Sequence, residues 1–311
     1  MTGTITGLTP TDYDPDEYAA TCAAFLAEHP DYRVLKRFTP RDFYTPVTPI
    51  ADEAPLKTAL FVDVETTGLD TDKERVIELA MVPFEFDTAG NIYGVGAGES
   101  WFSDPGISIP PAITELTGIT DEMVQRKAID GTRVRQLLAG ASLVVAHHAD
   151  FDRRMLERVD AQFAAISWGC SYREVEWERF GCTSKKLEHI LASTCREFYS
   201  AHRALDDCYV GVHLLAAATL DGRTAFSYLL DSVRQPTARV YAMGAPFSAK
   251  DALKLRGYKW SDGTGGKRKA WYLDVKLALN DEARWLHTIG VDMPEVVKLT
   301  ARDRFSVRAD V

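Results

Sequence analysis

Ala59-Leu60-Phe61-Val62-Asp63-Val64-Glu65-Thr66-Thr67-Gly68-Leu69 is the stretch on which the fold turns. Its apolar start has the length and composition of a buried strand, and two acids stand at its end. On a strand, residues i and i+2 point to the same face. Asp63 and Glu65 therefore present two carboxylates side by side, which is unfavourable unless a cation joins them. Hard oxygen ligands suit Mg²⁺ or Mn²⁺. An isolated pair of this kind is more often just two solvated acids at a strand end, so the rest of the chain must decide.

Outward from that strand, Val76 to Phe86 reads as a second strand, Asp87 to Asn91 as a turn, and Ile92 onward as a third strand. Helices are expected near 110–117 and 120–139, and Leu143-Val144-Val145-Ala146 as another buried strand. Phe151, Met155 and Val159 repeat at helical spacing, and a longer helix is expected from Ala204 to Thr219. Strands first, then strands alternating with helices, predict an α/β domain built on a mixed β-sheet flanked by helices. Asp152 falls in the first turn after Leu143–Ala146, where an acid also suits the positive end of a helix dipole. In His202-Arg203-Ala204-Leu205-Asp206-Asp207, five residues is a poor spacing for one helical face. It works if His202 lies on the loop leading into the helix, free to swing toward a site that Asp207 anchors. A histidine of near-neutral pKa suits a general base acting on water.

Three segments now stand in order: Val62–Leu69, Ala146-His147-His148-Ala149-Asp150-Phe151-Asp152-Arg153, and His202–Asp207. Together they resemble the DEDDh group of 3′–5′ exonucleases, which resembles the proofreading epsilon subunit and has a ribonuclease H-like fold. The resemblance covers residues 57–220. It implies that Asp63, Glu65, Asp152 and Asp207 hold two divalent metal ions (Mg²⁺ or Mn²⁺), and that His202 takes a proton from the attacking water. Two such ions about 4 Å apart clamp the attacking and leaving oxygens at phosphorus. The expected product is a nucleoside 5′-monophosphate released from a 3′ end. On the substrate side, the resemblance implies contacts from Thr66, with Leu69 and Ile119 as candidates for packing against the terminal base, or else for the core. Two departures matter. His148 stands where relatives often have Asn, and Thr117 stands where many have His, so local contacts to the terminal nucleotide differ.

Three regions are expected: an N-terminal helical extension with a Pro-rich linker (1–56), the exonuclease domain (57–234), and a small α+β C-terminal domain (235–311). Asp14-Pro15-Asp16-Glu17 carries a cap, a proline for the first turn and acids for the dipole. Met1–Tyr13 is expected to be loose, and residues 38–55, with Pro40, Pro46, Pro49 and Pro55, to be an extended linker.

The chain has 311 residues and a net charge of −9, yet residues 235–311 carry 14 Lys+Arg against 9 Asp+Glu. A charge asymmetry of this kind is a hint of nucleic-acid or membrane contact, the alternative being a solvated basic surface. Lys250, Lys254, Lys259, Lys267, Arg268 and Lys269 are interleaved with aromatics, the combination that tracks phosphates and stacks bases. Trp260 and Trp271 are expected in the core of this small domain, with Lys267, Arg268 and Lys269 exposed. Removing residues 236–311 is expected to weaken substrate affinity and leave the chemical step largely intact.

No run approaches about 18 apolar residues, so no membrane span is expected. The five cysteines form no CxxC pair, which predicts reduced thiols in a cytoplasmic protein. Cys170, Cys182, Cys195 and His189 match no standard zinc spacing. The expected partner is nucleic acid, DNA in preference to RNA, with a polymerase partner compatible but not indicated. The rival readings are a 3′–5′ exoribonuclease and a catalytically silent nucleic-acid-binding module.

Overall fold

A computed structural model describes residues 14–46, 55–219, 221–264, 267–275 and 279–310. The loose start expected at Met1–Tyr13 lies outside the described residues, as does the stretch around Pro49. The first element, α1 (Pro15–Ala27), is capped by the Asp14 carboxylate, which accepts from the Asp16 N–H at 2.9 Å. None of its side chains is buried. A short strand β1 (Lys36–Arg37) follows. The segment after it, expected as an extended linker, is pinned to the body in its described part: Phe38 is buried in the core and the Tyr44 hydroxyl sits 3.0 Å from His213 Nδ1. Phe38 precedes Pro40 and Tyr44 lies between Pro40 and Pro46, and the burial of these two side chains holds the segment without a ladder.

The body then runs β2 (Lys57–Thr66), β3 (Val76–Phe86), β4 (Ile92–Val95), β5 (Glu99–Phe102), α2 (Pro111–Thr117), α3 (Asp121–Val124), α4 (Gly131–Gly140), β6 (Leu143–Ala146), α5 (Ala149–Val159), β7 (Trp168–Cys170), α6 (Ser171–Glu174), α7 (Leu187–Thr194), β8 (Glu197–Phe198), α8 (Ala204–Ala216) and α9 (Ala225–Arg234). The single helix expected over 120–139 is two, α3 and α4. The chain reverses between them at Arg126 (φ 59°), and the Asp130 carboxylate caps α4 by accepting from the Thr132 and Arg133 N–H groups. The long helix expected to Thr219 ends at Ala216, where Ala217 turns extended.

The main sheet has the order β4-β3-β2-β6-β7, with β5 also paired to β3. β2 is antiparallel to β3 and parallel to β6, and β6 is parallel to β7, so the sheet is mixed. Alternation along β2 splits the core in two. Ala59 and Phe61 face α8 and α9, while Leu60, Val62 and Val64 pack with Val134, Leu138, Met155 and Leu156 of α4 and α5. Asp63 and Glu65 continue the Phe61 row, so both point toward α8. That helix lies close on the strand: a Cβ at Gly211 would come within 2.1 Å of the Phe61 ring, which is fully buried. Gly211→Ala is therefore expected to destabilise the fold by about 2 kcal/mol through overpacking. Thermal unfolding would measure it, and an unchanged midpoint would mean that α8 is not wedged at this position.

A second sheet, wholly antiparallel, has the order β10 (Lys259–Asp262), β11 (Lys269–Val275), β9 (Thr237–Ala242), β12 (Glu295–Leu299). Its helices are α10 (Lys250–Leu255) and α11 (Leu279–Thr288), and its core contains Val240, Leu253, Tyr258 and Leu286. Trp271 is half-buried against this core, but Trp260, expected inside, is 50% exposed because β10 is an edge strand. Of the three cations expected to be exposed, Lys269 is, whereas Lys267 and Arg268 are half-buried. Arg268 pairs with Glu295 at 2.8 Å and covers the Tyr241 ring.

Residues 300–310 leave this sheet and return to the body. Trp168 N–H donates to Ala301 O at 2.8 Å. The Arg153 guanidinium, fully buried, donates to Arg302 O and Arg304 O at 2.7 Å each. Arg304 in turn reaches Glu174 at 2.7 Å, with both side chains buried. Deleting residues 236–311 would thus strip partners from the interior of the body, so that deletion does not isolate the tail's contribution. The strap escapes a reading of local pattern because its partners lie about 150 residues upstream in sequence, in α5.

Candidate active site

The carboxylates of Asp63, Glu65 and Asp207 converge at the end of β2, with ligand oxygens all within 4.8 Å of one another. The i, i+2 pair on β2 meets Asp207 because all three lie on the face that α8 covers. Asp152 arrives from the other face, at the start of α5, and lines the same cavity of about 380 Å³. β6 pairs with β2 only from Ala59 to Phe61, which leaves the Val64 N–H open on that side. The Asp152 carboxylate accepts that N–H. The fourth acid is therefore fixed to the strand that bears the first two, although it stands outside the tight group of three.

Burial pushes all four carboxyls upward. Glu65 is raised to about 8, by desolvation first and then by the charges of Asp207, Glu78 and Asp152. Asp207 is raised to about 6 by desolvation, offset in part by donated hydrogen bonds from the Tyr199 hydroxyl and the His202 N–H. Asp63 and Asp152 move the same way, Asp63 by desolvation and then by its three carboxylate neighbours and Glu78. Four acids gathered out of water are a poor arrangement for an empty protein and a good one for hard divalent cations, so the residues present fit such a group. Among the described residues this is the one cluster with metal-binding geometry, and the cysteines are free thiols outside it.

His202 stands at the rim, exposed, with φ 72°. A non-glycine residue in the left-handed region is uncommon and is tolerated where the surroundings enforce it. Here its own N–H donates to Asp207 Oδ2 at 3.0 Å, which locks the loop to the helix it precedes. Tyr199 donates to the other Asp207 oxygen.

The neighbouring histidines differ in role. His147 is buried and pushed down to about 3 by desolvation, so it is neutral. Its Nε2–H donates to Lys185 O at 2.7 Å and its Nδ1 accepts from Ser171 Oγ at 2.8 Å. It thereby pins the segment that brings Lys186 and Leu187 to the cavity. His148 is exposed and lies on the Tyr172 ring, centroids 4.4 Å apart.

The residues expected on the substrate side are only partly gathered. Leu69 lines the mouth and is 87% exposed. Thr66 and Thr117 line the cavity, but their hydroxyls donate within their own segments, to Gly68 O at 2.6 Å and Ile113 O at 2.9 Å. Ile119 is fully buried in a separate cluster with Ile77, Ile109 and Val124, which takes the core alternative for it and removes it from the terminal base. From α2, the apolar side chains that line the cavity are Ile113 and Leu116. Helical geometry accounts for this, since Gly118 ends α2 in the left-handed conformation and turns Ile119 away.

Two polar residues escaped sequence reasoning. Glu78 lies opposite Glu65 across β2 and β3 and is 1% exposed. It accepts from Ser100 Oγ at 2.7 Å and from Arg203, so it holds the start of α8 in place. An acid within the otherwise apolar run Val76–Phe84 was its available signal. Tyr199 had none, because only the fold brings it to Asp207.

The Exonuclease family (RNase_T) matches residues 60–215. Among curated relatives, the PolC-type DNA polymerase III of Halalkalibacterium halodurans is 34% identical over 177 residues, 52% of this chain and 11% of that protein. The DNA polymerase III subunit epsilon of Treponema pallidum is 24% identical over 192 residues, 57% of this chain and 83% of that protein. The chain thus spans about a tenth of the length of the PolC-type relative. Among solved structures, a zinc-bound E. coli exonuclease I–single-stranded DNA complex has a TM-score of 0.48 and 16% identity, over 78% of this chain and 65% of that one. No helix among the described residues is long and apolar enough to cross a membrane. With the family match extending over half of its length, from β2 through α8, this chain belongs to the Exonuclease (RNase_T) family.

Proposed function

We propose that this protein is a divalent-metal-dependent 3′–5′ exonuclease that hydrolyses DNA to nucleoside 5′-monophosphates. The observation that carries the reading is the convergence of Asp63, Glu65 and Asp207 in one cavity with Asp152 and His202. DNA is preferred to RNA because the matched relatives are named as DNA polymerase III proteins. Asp63, Glu65, Asp152 and Asp207 would hold two Mg²⁺ or Mn²⁺ ions, which when bound supply Lewis-acid polarisation of the phosphate and acidify water. Tyr199 and the His202 N–H keep the Asp207 carboxylate oriented. The His202 imidazole takes the proton from the attacking water. Leu69, Ile113 and Leu116 form an apolar wall suited to the face of a terminal base, and Lys186 borders the path of the phosphates.

The test uses matched DNA and RNA oligonucleotides labelled at the 5′ end, with Mg²⁺, Mn²⁺ or EDTA and no polymerase. The expected result is a metal-dependent ladder that shortens from the 3′ end and forms faster on DNA. His202→Ala is expected to slow it by about 10²–10⁴-fold and to retain the rise in melting temperature caused by metal. A faster ladder on RNA would replace the substrate. No ladder on either polymer, with binding retained, would favour a silent binding module. Wild-type turnover by the variant would remove His202 from the chemistry.

A further inference from the structure

The first turn of α5 separates two cavities. Phe151 and Asp152 line the catalytic one, while Asp150 and Arg154 line a cleft of about 300 Å³ between the body and the second sheet. Arg173 and Arg304 border this cleft from the body side, and Arg239 and Lys259 from the sheet side. A further cavity of about 240 Å³ continues along the sheet past Tyr241, Trp260, Thr264 and Lys267. Arg239 and Tyr272 belong to both, so the two form one groove.

Register explains its chemistry. Lys259, Tyr272 and Tyr241 are aligned across β10, β11 and β9, and Asp274 aligns with Arg239. These side chains share one face, while Val240, Trp271 and Leu273 turn to the helices on the other. The Arg239 guanidinium lies 4.6 Å from the centre of the Tyr272 ring. Asp150, Glu174 and Asp274 are engaged by Arg173, Arg304 and Arg239 respectively. With Asp262 that makes four acids against six cations, an excess of positive charge in a chain whose net charge is −9. An excess of cations along a groove suits the phosphates of a flexible, unpaired polynucleotide.

We propose that this groove is the track of the single strand upstream of the 3′ end, running from the start of α5 across the outer face of the second sheet. The proposal rests on the exonuclease reading above. It draws Lys259 and Lys267 from the tail cations singled out in the sequence, together with Arg154 and Arg173 of the body. Lys250 and Lys254 lie on or at the start of α10, against the opposite face of the sheet, and are not part of it. The track is continuous only because the strap of residues 300–310 fixes the sheet against α5.

The experiment compares the full-length double variants Lys259→Glu/Lys267→Glu and Lys250→Glu/Lys254→Glu with the wild-type chain. One substrate is an oligothymidylate of about 30 nucleotides, and the other is the p-nitrophenyl ester of thymidine 5′-monophosphate, too small to reach the groove. The groove variant is expected to lose about tenfold more kcat/KM on the long substrate than on the ester. Its salt dependence should flatten by about 0.7 per lost phosphate contact in the log–log slope. The α10 variant should show the smaller loss. A wild-type salt slope in the groove variant, or an equal loss in the α10 variant, would overturn the track. If the wild-type chain cleaves neither substrate, the catalytic reading fails. Fluorescence anisotropy of a labelled oligothymidylate in EDTA then decides the groove by the same ranking of variants.

Discussion

Replacing Asp63 with Asn is expected to lower nucleotide release by on the order of 10³-fold or more while making the metal-free protein more stable. The two effects share one cause. Asp63 is held out of water beside Asp152, Asp207 and Glu65, and its carboxyl is pushed well above the usual range. When folding raises an acid's pKa, the folded state binds more protons than the unfolded one above pH about 4. Stability then falls as pH rises through that window. Here the fall runs from about pH 4 through the folded values of about 6 for Asp207 and about 8 for Glu65. An amide at position 63 removes one charge from the group and flattens this decline. Mg²⁺ or Mn²⁺ should restore the wild-type protein at pH 8 through preferential binding to the folded state, and should stabilise the variant less. Melting curves from pH 4 to about 8.5, with and without metal, measure this beside the rate. Wild-type turnover would refute the metal-site assignment. A metal-free variant no more stable than wild type at pH 8 would refute the repulsion account.

Arg153→Met should cost about 3–5 kcal/mol of stability, which at this size lowers the melting temperature by roughly 5–8 °C. The guanidinium is fully buried and its charge is disfavoured by desolvation. It persists because it donates to Glu157, to the carbonyls of Arg302 and Arg304, and more weakly to those of Ala301 and Ala164. Methionine fills the volume and makes none of these bonds, which leaves Arg304 O without its partner and Glu157 held only by Ser306 and Arg308. Loss of the strap should also free the second sheet from α5, so activity on long substrates falls more than stability alone explains. Thermal unfolding by circular dichroism is the measurement. A shift below about 2 °C would mean that the strap is held by its other contacts.

Asp152 and Arg153 illustrate where legibility ended. They are consecutive in sequence, and one turns to the acidic cavity while the other turns to the C-terminal strap. Asp152 could be found because it follows an apolar strand in a motif of short range. Arg153 carried no such signal, because its partners are backbone carbonyls far along the chain.

What the amino-acid order determined by itself was local. It set the strands β2, β3 and β6 through their apolar runs, the shared face of Asp63 and Glu65 through the period of two, and the place of Asp152, His202 and Asp207 at helix starts. The tertiary structure alone decided the rest. Packing at Gly211 let α8 approach Phe61 and so carry Asp207 to the β2 acids. Pairing across strands put Glu78 behind Glu65 and turned Lys259, but not Lys250, toward the groove. Periodicity tells how a residue is oriented within its own element. Which face another element covers is a property of long-range packing, and that assembled both the acidic site and the path leading to it.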